Sequence, residues 1–447
     1  MKNKLMNFNA TRYILLGFLI VILIGSILLS LPISSASGVS VPYVDALFTA
    51  TSMTCVTGIA TLPTFSTWST FGKVVIMLLI QVGGLGIVTI MAGFMIFLNK
   101  RFGLRDYLLI QDTFALNNMD GLKDFVKKVI FGTLLIETIG ALLYMIAFVP
   151  EFGTEGIWIA VFTAVSSFCN AGVDILSENG LIPYIFNLAV AIATSLLTTM
   201  GSIGFIVWWD VLRIIKEKKN FRSLTLHSKI VLSATLILIL IGAAGTLIAE
   251  YNNPLTIKDM SFIEKVWVST FHSIVIGSAA FPIIPHADLT NASTLLSMTL
   301  MFIGGSPSGT GSGIKTVTLV ILIMTAMAMI HNKSEVVIFD RKISTNDIRK
   351  SIAMVLNMIG IWLVSTFLLA MVMDAEFLDI ICETMGATTT VGMSRGLTPL
   401  LNIWGKIIII ITMYFGRIGP ISLMFALNKK RKNINIIKHP MEEITIG

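Results

Sequence analysis

The chain has 447 residues, 55% of them hydrophobic and 13% charged, with a mean hydropathy of +0.86 and a formal net charge of +7. A soluble core cannot absorb that much apolar surface, so the composition excludes an ordinary soluble globular domain and points to a polytopic membrane protein. The three cysteines, Cys55, Cys169 and Cys382, show no CxxC or His/Cys spacing, which indicates neither a disulfide framework nor a zinc site and leaves them as packing thiols.

Taken in chain order, apolar runs of about 20 residues, the length that crosses a bilayer core, predict membrane helices at residues 13–31, 74–98, 129–149, 186–208, 230–248, 352–373 and 407–427. An eighth, 294–330, is interrupted. The first run is longer than the apolar core of a signal peptide, about 7 to 15 residues, so it reads as an uncleaved membrane helix. Lysine and arginine accumulate in short cytoplasmic loops. Residues 1–12, 99–128, 213–229, 331–350 and 427–447 hold 25 of the 32 basic residues, which puts both termini in the cytoplasm. The opposite connections are acidic. An acidic mouth concentrates cations, although acidic loops that are merely solvated give the same composition.

The outer connections also resemble one another. Aligned without gaps they read "ALFTATSMTCVTGIATL" (46–62), "AVFTAVSSFCNAGVDIL" (160–176), "VSTFHSIVIGSAAFPII" (268–284) and "IICETMGATTTVGMSRG" (380–396). Twelve residues into each stand Gly58, Gly172, Ala280 and Gly392, spaced by 114, 108 and 112 positions. The pattern predicts four units, each a helix, a half-length apolar segment ending in a small-residue turn, and a second helix. The units cover 1–98 (pore loop 43–62), 99–212 (157–180), 213–330 (261–287, with a broken helix at 291–330) and 331–427 (375–400), followed by a tail at 428–447. Irregular backbone at membrane depth is tolerated only where protein buries it or it lines a watery cavity. Four such turns around one axis would form a ring of carbonyls able to replace the hydration shell of a cation. Four loops that only pack are the alternative. The ring's candidate donors are Val56, Thr57 and Gly58; Asn170, Ala171 and Gly172; Ser278, Ala279 and Ala280; and Thr390, Val391 and Gly392.

The interruption in the eighth run reads "GGSPSGTGSGIKT" (304–316), between arms too short to span alone. Glycine and serine are weak helix formers, and Pro307 lacks a backbone donor. A loop at this depth, placed beneath the carbonyl ring, would obstruct an ion path. Lys315 closes the loop and Arg417 lies in the last run, each costing about 2.5 to 3.5 kcal/mol at a helix centre. Arg417 is expected to donate to carbonyls of the loop and hold it across the path, with Lys315 positioning it or repelling cations. Snorkelling to the cytoplasmic interface is the alternative for both charges. A Walker A reading of Gly309, Gly313, Lys315 and Thr316 fails because Ile314 separates glycine from lysine. An intramembrane protease built on Ser306, Ser308 or Ser312 would need His272 as its base. Glu137, in mid-helix, is expected to bond to a neighbouring helix, and it and Asp210 are the acids a proton-coupled transporter would use.

The four helix, loop, helix units, the turns "TCVTG", "FCNAG" and "TTTVG", "QVGGLGIVT" after the first turn, "GGSPSGTGSGIKT" and "YFGRIGPISL" together resemble the Trk/Ktr/HKT superfamily of potassium transporters across essentially the whole chain. Length and the ending "KHPMEEITIG" are most similar to Ktr-type membrane subunits. The resemblance implies an all-α membrane protein with eight transmembrane helices, four re-entrant pore loops and pseudo-fourfold symmetry, and no enzyme activity. K+ is the implied transported ion. The loop Gly304, Gly305, Ser306, Pro307, Ser308, Gly309, Thr310, Gly311, Ser312 and Gly313 is the implied gate, with Lys315 and Arg417. The resemblance further implies a plasma-membrane homodimer docked on a cytoplasmic RCK/KTN ring that binds ATP or ADP. The basic loops 99–128 and 213–229 and the tail are the expected docking surface, and they would equally attract anionic lipid; nothing points to nucleic acid. One turn departs from the family pattern: "GSAAF" (277–281) stands where Arg-Thr-Ala-Gly-Phe is common, so Ala280 replaces a filter glycine and Gly277 an arginine. The resemblance implies that such a replacement weakens discrimination of potassium from sodium, as in related plant transporters, whereas a backbone that adapts would keep selectivity. Arg395, three residues past Gly392, adds a positive charge near the mouth and has outer acids such as Glu383 to pair with.

Overall fold

The computed structural model describes residues 10–98 and 121–418. The basic segments 1–9 and 99–120, the end of the last apolar run and the tail 419–447 lie outside the described residues. Apart from short 3-10 turns and a two-stranded hairpin pairing Val337–Ile338 with Arg341–Lys342, the regular structure described is α-helical.

Among the described residues, four helices are unbroken and long enough to cross a membrane: Ala10–Ser30, Leu122–Phe152, Leu226–Glu250 and Thr345–Val372. Each is followed by a short helix, Tyr43–Cys55, Glu155–Cys169, Phe262–Ile276 and Phe377–Thr389, and then by a return helix. Local chemistry sets several starts. Ser69, Asn187, Thr225, Thr290 and Ser344 accept N-terminal amides of the helices they precede, and Ser261 and Glu264 form a reciprocal capping box.

Two of the return helices correct the expectation of straight spans. Residues 74–98 divide into Thr70–Leu85 and Ile87–Phe97, bent by 98°, and 186–208 belongs to Leu188–Ile203 and Phe205–Lys216, bent by 101°. The breaks fall on Gly86 (φ 80°, ψ 142°) and Gly204 (φ 97°, ψ 146°), conformations that residues with a Cβ rarely adopt. Periodicity saw only apolar continuity there. The third return helix is interrupted as expected, between Asn291–Ile303 and Thr316–Ile330. The fourth is described as Ile403–Ile418.

Every long helix packs on the short helix that follows it, and every return helix packs on a short helix of the next unit: first on second, second on third, third on fourth, and fourth back on first. The units therefore close into a cycle. Its polarity is inverted relative to a soluble bundle. Ile20, Ile24, Phe131, Leu240 and Phe367 point outward, whereas Thr49, Ser52, Thr163, Ser166, Ser269 and Thr388 on the short helices are buried. Two polar clusters tie the outer ends. The Glu250 carboxylate accepts from the Thr290 amide and hydroxyl, Asn253 and Thr256, and Lys406 donates to Asp45 at 2.5 Å, linking the fourth unit to the first.

The two breaks should differ in their tolerance of a side chain. A Cβ on Gly86 meets open space, but one on Gly204 would come within 2.4 Å of the Pro307 carbonyl oxygen. Gly86→Ala should carry only backbone strain, about 1 to 3 kcal/mol. Gly204→Ala should lower the unfolding temperature in detergent further; equal shifts would mean that the loop at Pro307 yields freely.

Candidate functional site: four backbone turns above an intramembrane loop

Three of the short helices end alike. The first residue beyond each is left-handed: Val56 (φ 58°), Asn170 (φ 63°) and Thr390 (φ 49°). The next amide reaches back five residues, Thr57 to the Ser52 oxygen at 2.8 Å, Ala171 to Ser166 at 2.8 Å and Val391 to Gly386 at 3.2 Å, which satisfies helix-end carbonyls in the Schellman manner. Asparagine tolerates this conformation, but valine and threonine are outliers in it. Each stores about 1 to 3 kcal/mol, a cost seen where surrounding structure holds functional backbone in place.

The following residues, Gly58 (φ 86°), Gly172 (φ 68°) and Gly392 (φ 90°), are glycine for a second reason. A Cβ on Gly58 would lie 1.8 Å from the Ala171 oxygen, one on Gly172 1.8 Å from the Ala279 oxygen, and one on Gly392 1.7 Å from the Thr57 oxygen. The carbonyls of Thr57, Ala171 and Ala279 thus press against the neighbouring unit's glycine. Peptide units approach this closely only where no side chain intervenes.

The third turn is built differently. Its helix ends at Ile276, Gly277 is right-handed (φ −66°), and the amides of Ser278, Ala279 and Ala280 all reach the Val275 oxygen. Ser278 is not left-handed, and Ala280 alone of the three takes a positive φ, 44°. Above the turns opens a cavity of about 410 Å³ whose lining includes Gly58, Gly172, Ala280 and Gly392, together with Asp174 and Glu178. Arg395 at its edge pairs with Asp379 at 2.8 Å, not with Glu383, whose carboxylate accepts from Ser394 and Thr398.

Beneath the turns, residues 304–313 fold back on themselves, the Gly305 amide reaching the Ser312 oxygen and the Thr316 amide the Gly305 oxygen. The loop is clasped by the broken second return helix: Ser306 donates to the Ser202 oxygen, Thr310 to the Gly201 oxygen, and the Phe205 amide to the Ser308 oxygen. From the opposite side the Arg417 guanidinium donates to the Thr310 oxygen (3.0 Å), Ser312 Oγ (2.7 Å) and the Gly83 oxygen (2.5 Å). Lys315 Nζ donates to the Gly311 oxygen at 2.8 Å. Both charges thus face the loop. The protease constellation does not form, since His272 sits 3.4 Å from Ser297, while Ser306 bonds to Thr316 and Ser312 to Arg417.

A lower belt of glycines escaped the sequence reading. A Cβ on Gly83, Gly201 or Gly416 would fall 2.0, 2.0 or 2.2 Å from the oxygens of Thr54, Phe168 and Thr388, each two residues before a left-handed turn residue. The available signal was a Gly-x-x-Gly spacing at 83–86, 201–204 and 416–419. Gln81 was missed too. It donates to Glu137 at 3.3 Å and accepts from Cys169 at 3.6 Å, tying that buried carboxyl to the second turn. Asp210 instead bonds Arg213 in its own helix and Thr225 at the start of the next long one.

The strained turns thus meet beneath a cavity lined in part by Asp174 and Glu178. A family model described as a cation transport protein, TrkH, matches residues 11–436, and the chain belongs to this TrkH family. It is 35% identical to the Ktr system potassium uptake protein B of Bacillus subtilis over 99% of this chain and 98% of that one. Identity is 36% to the potassium/sodium uptake protein NtpJ of Enterococcus hirae, over 98% and 97% of the two chains. The fold matches the crystal structure of the potassium transporter TrkH from Vibrio parahaemolyticus with a TM-score of 0.73, at 16% identity, covering 92% of this chain and 84% of that one.

The close approaches set a graded prediction for cation flux in proteoliposomes. Gly58→Ala, Gly172→Ala and Gly392→Ala should each abolish or strongly reduce it, whereas Gly396→Ala, at φ 100° but facing open space, should leave most of it. Equal loss in all four would attribute the effect to backbone strain alone.

Proposed function

We propose that this protein carries potassium, or a similar monovalent cation, inward across the plasma membrane through a channel-like path. Eight membrane-spanning segments and four re-entrant loops surround the path with pseudo-fourfold symmetry, in the four units 1–98, 99–212, 213–330 and 331–427, with both termini in the cytoplasm. Carbonyls of residues 56–58, 170–172, 278–280 and 390–392 replace the ion's hydration shell, and the loop 304–313 is the gate. The observation that carries this reading is the cycle in which three turns lay a carbonyl against the preceding unit's glycine, directly below a cavity bearing Asp174 and Glu178. Negative charge at a mouth raises local cation concentration, and a ring of backbone dipoles selects among cations. The relatives are named potassium uptake proteins, which supports potassium as the ion.

In this reading the chain works as a homodimer, docked through its basic cytoplasmic loops and tail on an RCK/KTN ring that binds ATP or ADP and acts on the gate. The name "Ktr system" supports a regulatory component. A proton-coupled mechanism through Asp210 loses support, because Asp210 is committed to Arg213 and Thr225, while Glu137 holds a single 3.3 Å bond from Gln81. Relaxed selectivity has an observation in its favour: the third turn presents one left-handed residue where the other three present two.

Two variants test the reading by flux into proteoliposomes. Arg417→Ala removes three charge-assisted hydrogen bonds, each about 1.5 to 3 kcal/mol, and should raise flux about tenfold or more; unchanged flux in a folded variant would sink the gate. Ala280→Gly should increase potassium over sodium if the third turn coordinates ions, and a ratio that does not move would remove that turn from the filter.

A further inference from the structure

The gate loop and the second and third turns share one side chain. The Asn170 carboxamide lies in the second turn and is 1% exposed. Its oxygen accepts from Ser278 Oγ of the third turn at 3.0 Å, and its nitrogen donates to Thr310 Oγ1 of the loop at 2.7 Å. Thr310 Oγ1 in turn donates to the Phe168 oxygen in the last turn of the second short helix, at 2.8 Å. The backbone of Thr310 is held independently, its amide on the Gly201 oxygen and its oxygen under Arg417. One residue of the loop therefore receives both the contact that fixes the loop and the contact that fixes the turns.

We infer that Asn170 is a positioning residue through which the loop sets the shape of the second and third turns, so that ion selectivity depends on whether Thr310 is in place. This rests on the proposed reading of the turns as filter and the loop as gate. The physical warrant is polar satisfaction. A buried carboxamide that loses a partner costs far more than an exposed one, so when the loop moves, the Asn170 nitrogen keeps only its 3.5 Å contact with the Phe168 oxygen, and the amide must readjust. Space for rearrangement is small, since a Cβ on Gly201 would lie 2.0 Å from the Phe168 oxygen, 2.6 Å from Thr310 Oγ1 and 2.8 Å from Asn170 Nδ2. The third turn, which lacks a left-handed residue at Ser278, takes its side-chain tether from the same amide.

The test is the permeability of Na+ and Cs+ relative to K+, from reversal potentials of the full-length protein in planar bilayers, which do not depend on total flux. Thr310→Val deletes the hydroxyl and nearly conserves volume; Thr310→Ser keeps the hydroxyl. The valine variant should change at least one ratio by about three- to tenfold, the range set by one net hydrogen bond, and the serine variant should restore it. Ser278→Ala, at the other end of the amide, should shift the same ratio, and the double variant should show no further change, because both act through Asn170. Raised flux with unchanged ratios in Thr310→Val and Ser278→Ala, or effects that multiply in the double variant, would overturn the inference. Arg417→Ala separates it from the parent reading. Unchanged flux there, with a ratio shift in Thr310→Val, removes the gate but leaves Asn170 as the link.

Discussion

Carbonyl oxygens packed against glycine Cα atoms are the contacts on which the centre of this molecule depends. Thr57, Ala171 and Ala279 each place an oxygen where the neighbouring unit's glycine would carry a Cβ, and Thr54, Phe168 and Thr388 do the same against the return helices. A carbonyl in an apolar medium without a donor costs several kcal/mol, so a fold exposing rows of them must control what they face. Here the short helices supply Schellman amides to some, and the glycines bring the rest close to neighbouring backbone. The strain at Val56 and Thr390 belongs to the same arrangement, since a relaxed turn would swing these oxygens away.

The loop below obeys the same accounting. A break of twelve residues, 304–315, at membrane depth leaves many amides and carbonyls to satisfy, and the partners come from the second return helix, itself broken at Gly204. That helix end offers the Gly201 and Ser202 oxygens and the Phe205 amide, groups that a continuous helix would have consumed internally. The 101° bend and the loop are therefore reciprocal: each supplies what the other's irregularity exposes. Arg417 adds the charged clasp. At an insertion cost of about 2.5 to 3.5 kcal/mol a guanidinium is retained in such a place only with acceptors, and it has three, one of them on the first return helix.

Much of this was legible in the sequence because repetition and breakage leave strong marks. The four aligned segments with Gly58, Gly172, Ala280 and Gly392 in one register located the turns, and thirteen residues rich in glycine and serine inside an apolar run located the loop. The partnership of Arg417 with the loop followed from the cost of a charge at that depth. Other features left no such mark. A single glycine between apolar residues, as at Gly86 and Gly204, reads as a tolerated helix residue, and only a backbone at φ 80° or 97° reveals a break. Asn170 was visible as a turn residue but its side chain was not, because Ser278 and Thr310 stand 108 and 140 positions away.

The units are not equivalent, and the differences gather in the third. Its turn holds a single left-handed residue, its return helix is opened by a loop instead of one glycine, and a cavity of about 50 Å³ between turn and loop is lined by Ser202, Ser273, Gly277, Ser278 and Ser306. The first two units show that a one-residue break suffices to turn a return helix, so the longer break is an enlargement of a shared device. Lengthening it removes helix-internal bonds and makes the loop depend on contacts from the second and fourth units. A segment held by borrowed contacts can be released without unfolding the helices on either side. Free volume beside it, where Gly277 contributes no side chain, lowers the cost of moving in that direction. The unit that departs furthest from the repeat is thus the one whose loop is held by hydrogen bonds from the second and fourth units.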